Sequence, residues 1–94
     1  MIINDVINIV LYIINNRKDE KGYFKLSKGN QYTPPEAAIF LPENIKYTKI
    51  KDPIIQSSII KALKEKTRCY DVYFTQDVKD QIVVHLVLIS IKPQ

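Results

Sequence analysis

Residues 81–92, QIVVHLVLISIK, are apolar on both sides of an extended strand. Ile82, Val84, Leu86 and Leu88 fall on one side, and Val83, Val87, Ile89 and Ile91 on the other. Side chains alternate between faces along a strand, so a segment like this belongs in the middle of a sheet, with cover on both sides. No other feature constrains the fold as strongly. TRCYDVYFT (67–75) precedes it across Asp77-Val78-Lys79-Asp80, so the two segments form a C-terminal hairpin. Helices or a second subunit are expected over both faces of its second strand.

The rest of the chain supplies the cover. At about 100° per residue, Asn4, Asp5, Asn8, Tyr12, Asn15 and Asn16 share one unbroken polar arc, which predicts a helix over 4–16. Most of its apolar residues are β-branched and favour strands, but strand alternation would place Val10 among the polar positions. The apolar arc is wider than one core contact needs, so it is either buried between sheet and loop or shared with a second copy or a partner. Arg17–Lys21 is a charged connector, GYFKLSK (22–28) a short edge strand blunted by lysine, and Gly29-Asn30 a turn. In TPPEAAIFLP, Thr33 suits an N-cap, Pro34 the first helical position and Glu36 the reciprocal partner of the cap, and Pro42 is a stop. That spacing predicts a short helix over 34–41. Residues 44–51 read as a second strand, and Asp52-Pro53 opens a helix over 53–66 with Ile55, Ile59, Ala62 and Leu63 on one stripe. The expected fold is α+β: a single two-layer domain over 1–94. A mixed or antiparallel sheet ending in the 67–75/81–92 hairpin packs against helices 4–16, 34–41 and 53–66.

Catalytic chemistry has few candidates. His85 is the only histidine and Cys69 the only cysteine. Hairpin register decides what His85 meets. A four-residue loop over 77–80 sets it opposite Val72, with no carboxylate near. A five-residue loop over 77–81 sets it opposite Tyr73, with Asp71 diagonal on the same face, and only that register orients the ring for acid–base work. Short loops favour the first. Cys69 lies several ladder positions from His85, too far for a nucleophile–base pair. One Cys and one His do not make a zinc site, Asp77 and Asp80 are turn formers, and glycine at only 22 and 29 rules out a phosphate-cradling loop. No catalytic residue, metal or cofactor is expected.

Charge is the remaining signal. Residues 44–68 hold seven of the fourteen basic side chains against Asp52 and Glu65, a local +5 in a chain of net +4. Lys46, Lys49, Lys51, Lys61, Lys64, Lys66 and Arg68 are the expected nucleic-acid contacts. Arginine is limited to Arg17 and Arg68, so phosphate contacts without base reading are expected, with Tyr23, Phe24, Tyr47 and Tyr70 available to stack on bases. The alternative is a protein-interaction module, an accessory subunit or inhibitor, with Ile9, Ile13, Leu86 and Leu88 at a partner or dimer contact. A lone cysteine fits the cytoplasm, and the N-terminal apolar run is too short and interrupted to span a bilayer, so no membrane role is expected.

From residue 44 onward, the order strand, basic helix, long hairpin is similar to the second half of Alba-like archaeal chromatin proteins, in topology and size over about half the chain. The resemblance implies a small basic DNA-binding homodimer. The N-terminal helix and the TPPE segment depart from it, so no binding residues are carried over. A winged helix is a second candidate fold, with 53–66 as recognition helix and the hairpin as wing, although the hairpin is too apolar to lie in solvent against DNA.

Overall fold

The computed structural model describes residues 2–16, 24–42, 45, 50–77 and 79–89. The described elements are α1 (Ile2–Asn16), β1 (Phe24–Ser27), β2 (Glu36–Phe40), α2 (Pro53–Thr67), β3 (Asp71–Gln76) and β4 (Ile82–Val87). The four strands form one antiparallel sheet in the order β1-β2-β4-β3. The fold is a single compact α+β domain of two layers.

The strand that is apolar on both faces takes the central place its sequence requires: β4 pairs with β2 on one side and β3 on the other. Its cover is one-sided among the described elements. Ile82, Val84 and Leu86 join Ala37, Ile39, Leu41 and Val72 in the core with Val6, Val10 and Ile13 of α1 and Ile59 and Leu63 of α2. Both helices therefore lie on this face; of the cover expected on both sides, by helices or a second subunit, the described helices supply one side. Val83 is buried but stands outside that cluster, on the opposite face with His85 and Val87.

The helices follow their periodicity. All six members of the polar arc of α1 are exposed. The wide apolar arc is taken up within the chain, since Ile2, Ile3, Ile9, Leu11 and Ile14 pack half-buried against the core. α2 starts as read: the Asp52 side chain accepts the Ile54 N–H at 2.8 Å, with Pro53 at the first turn. Arg68 closes it in the left-handed region at φ 56°, and its N–H bonds the Lys64 carbonyl. β1 is an edge strand, as read.

The helix expected over 34–41 is instead the strand β2. Two consecutive prolines explain the difference, because a residue before proline is pushed out of the α region, and Thr33 and Pro34 both precede one. The Thr33 N–H, like that of Tyr32, goes to the Asn30 side chain, so the first turn belongs to Asn30 rather than to a helix capped by Thr33. Beyond it Ala37, Ile39 and Leu41 are buried while Glu36, Ala38 and Phe40 are half-buried, which is strand alternation. The tight approach needs Gly29: at φ +72°, an added Cβ would lie 2.5 Å from the Thr33 carbonyl oxygen.

The strand expected over 44–51 lies largely outside the described residues. Ile45 sits in a bend and Ile50 in a helical turn, and both are buried. Among the described residues the hairpin strands are β3 over 71–76 and β4 over 82–87; residues 90–92 of the strand expected over 81–92 lie outside the described residues. The hairpin is built into the sheet through β2, which is not how a solvent-exposed wing is held.

The hairpin loop is the five-residue one. Gln76 pairs with Ile82 and Tyr73 with His85. Asp77 accepts the N–H groups of Lys79 and Gln81 through its side chain, and its carbonyl accepts the Asp80 N–H. Asp80 then turns at φ 63°, a left-handed step that Asp tolerates better than most residues. That step absorbs the extra residue and sets the register.

Candidate functional site

Two surfaces carry chemistry, one on each layer. The first is the outer side of α2. Lys51, Lys61, Lys64, Lys66 and Arg68 are all exposed. Lys61 and Lys64 recur at i and i+3, about 60° apart on a helical projection, and Arg68 follows at the C-cap. Ser57 shares this line. Two shallow hollows border it, one lined by Pro53, Ile54, Ser57, Ser58 and Lys61, the other by Ser57, Ile60, Lys61, Lys64 and Glu65. Lys64 stands 3.9 Å from Asp71, with both side chains about half exposed, an ion pair too solvated to hold the ammonium back. Lys66 and Arg68 end the helix, where cations suit its dipole. Lys46 and Lys49 lie outside the described residues.

The residues expected at a partner contact divide. Ile13 and Leu86 are 3% and 2% exposed, so the core of this chain already uses them. Ile9 and Leu88 are half-buried against the same core. Of the stacking candidates, Tyr70 is exposed and Phe24 packs on the core; Tyr23 and Tyr47 lie outside the described residues.

The second surface is the helix-free face of the sheet, where the five-residue loop brings together groups that sequence reasoning set apart. His85 faces Tyr73 across β3–β4 and Ala38 across β2–β4. The two aromatic rings stack with centroids 4.4 Å apart and planes 3° from parallel. His85 Nδ1 lies 2.5 Å from Glu36 Oε1, and Nε2 lies 2.6 Å from Thr75 Oγ1. The Tyr73 hydroxyl donates to both Glu36 oxygens at 2.9 Å. A carboxylate only accepts, so in the neutral ring that protonates Nδ1 toward Glu36, Nε2 accepts from the Thr75 hydroxyl; the roles of both nitrogens follow the tautomer. The Tyr73 phenol is raised above its ordinary 10.0, first by burial, then by its bond to Glu36, then by the charges of Glu36 and Asp71.

The carboxylate beside His85 is thus Glu36 from β2; Asp71, the expected diagonal neighbour, acts on Tyr73 instead. Placing 34–41 in a helix removed Glu36 from the sheet, and the double proline was the signal that would have restored it. Cys69 is buried, at the start of the hairpin. Among the described residues no cluster of three His, Cys, Asp or Glu side chains is arranged to hold a metal ion, and no helix is long and apolar enough to cross a membrane. No family model, curated protein or solved structure matches this chain. The similarity to Alba-like proteins rested on a strand over 44–51, whereas the strand that joins the hairpin is β2, ahead of that segment.

Proposed function

We propose that this protein binds nucleic acid through the outer face of α2, by phosphate contacts that do not read base sequence. The observation that carries the reading is the exposed line of Lys61, Lys64 and Arg68 beside Ser57. The three cations span about 10 Å of helix axis, the axial length of about three phosphates on one strand. Ammonium groups supply point charges and the serine hydroxyl a donor, which position a backbone without discriminating bases. Lys51, ahead of the helix, and Lys66, on another side of its last turn, are further exposed cations. This face requires no chemical step, metal or cofactor.

Binding as a homodimer doubles the phosphate contacts without new residues. A reducing cytoplasm suits the role, with Cys69 unpaired and buried. Partner capture, the protein-interaction alternative, has less support, because Ile13 and Leu86 are committed to the core.

The test is charge reversal. Lys61→Glu with Lys64→Glu should weaken binding to unrelated oligonucleotides by the same factor, read by fluorescence anisotropy. An unchanged affinity, or a loss confined to one sequence, overturns the reading. Ile9→Ser is the control, and leaves binding intact if α2 rather than an apolar contact holds the ligand.

A further inference from the structure

The second surface does something that phosphate binding does not use. Glu36, His85 and Thr75 come from three different strands and form one hydrogen-bonded chain, from carboxylate to imidazole to hydroxyl, at 2.5 and 2.6 Å. A nucleophile within reach of a base that is itself oriented by a third group is the geometric signature of an activated hydroxyl. Two further features fix the chain in one state. Tyr73 stacks on the imidazole and sets its plane, and the Tyr73 hydroxyl grips both oxygens of Glu36. Thr75, at the end of the chain, is exposed. Its partner on β4, Val83, is buried, and Phe40, the partner of Val83 on β2, is half-buried and offers apolar surface to a small acyl or aryl group.

We propose that Thr75 is a nucleophile toward activated carboxylic esters, with His85 as its general base and Glu36 and Tyr73 as positioning residues. Thr75 Oγ1 bonds to the ester carbonyl carbon, and the carbon–oxygen bond to the leaving alcohol breaks. The hydroxyl proton passes to His85 Nε2 and then to the leaving oxygen, so the products are Thr75 ester and free alcohol. No oxidant, metal or second substrate is consumed.

The experiment treats the full chain with 4-nitrophenyl acetate and maps acetylation by peptide mass spectrometry. Lysine acetylation in the same sample serves as an internal measure of reagent exposure. Thr75 should acetylate about a hundredfold faster than Ser27, an exposed hydroxyl of β1 that lies opposite Glu36 but bonds no imidazole, since general base assistance is worth 10²–10⁴-fold. His85→Gln should bring Thr75 down to the rate of Ser27 with lysine labelling unchanged, and Thr75→Ser should keep the fast label at position 75. Glu36→Gln frees the ring to adopt the other tautomer and should slow Thr75 at least about tenfold. Because His85 is the only histidine, ¹⁵N NMR of the imidazole reads that change directly, as a proton moving from Nδ1 to Nε2. Equal labelling of Thr75 and Ser27 in the unmodified protein overturns the proposal, whatever the variants do to folding. So does a fast Thr75 label that survives His85→Gln. Neither result bears on the α2 face, which is tested by binding alone.

Discussion

Replacing Tyr73 with Phe removes one hydroxyl and leaves the ring that stacks on His85. The lost contact is a pair of 2.9 Å bonds to the Glu36 carboxylate, reaching from edge strand to β2 across the central strand. A hydrogen bond to a charged group contributes about 1.5–3 kcal/mol. Tyr73 is 37% exposed, and solvent screening at that exposure reduces the expected loss to about 1 kcal/mol. For a domain of this size, that lowers the thermal midpoint by about 4–8 °C. The pH dependence has a definite sign. The folded phenol is held above 10.0, so between the unfolded and folded values the native state binds the proton more tightly. The stabilisation is then complete below about pH 10 and is lost as pH rises through the folded value. Urea titrations of both proteins from pH 8 to about pH 11 should show a gap of about 1 kcal/mol that narrows above about pH 10. A gap that stays constant or widens with pH refutes the reasoning, as does Tyr73 ionising ahead of the other tyrosines.

Further perturbations test the turns and the core. Gly29→Ala places a Cβ 2.5 Å from the Thr33 carbonyl at φ +72°, and should cost at least about 1 kcal/mol in urea. Asp77→Ala removes the acceptor for the Lys79 and Gln81 N–H groups and should cost about 1–2 kcal/mol, whereas Asp80→Gly, at φ 63°, should be neutral or stabilising because glycine takes that conformation without strain. Equal losses at positions 77 and 80 would contradict the account of the loop. Ile39→Ala, at a fully buried position of β2, should cost about 2–5 kcal/mol by calorimetry; a loss below about 1 kcal/mol would mean that 36–40 does not sit on the core as a strand.

The layers were legible in the sequence where a single period ruled. In α1 the six polar residues read as one arc are the six exposed ones, and in α2 the Asp52-Pro53 start and the Lys61–Lys64 face follow from helical spacing alone. The central place of β4 followed from its two apolar faces. Local signals in competition misled. Thr33, Pro34 and Glu36 form a capping pattern, but Pro34-Pro35 bars the residues before them from the helical region, and alternating burial of Ala37 and Ile39 decided for a strand. In the hairpin, preference for a short loop ignored the capacity of Asp80 to turn left-handed, and one residue of register determines which face every side chain takes. Those two errors together hid the site on the sheet. Glu36 reaches His85 only as a strand residue, and Thr75 only in the five-residue register.

Salt dependence of nucleic-acid binding tests the central claim most directly. Each phosphate neutralised on duplex DNA contributes about −0.9 to the slope of log affinity against log salt. Lys61, Lys64 and Arg68 together predict a slope of about −2.7, equivalent to about a fortyfold loss from about 50 to about 200 mM salt. Lys61→Gln with Lys64→Gln should flatten the slope to about −0.9. Affinity that does not change over that range, or a slope that the double substitution leaves intact, contradicts a phosphate-binding face on α2.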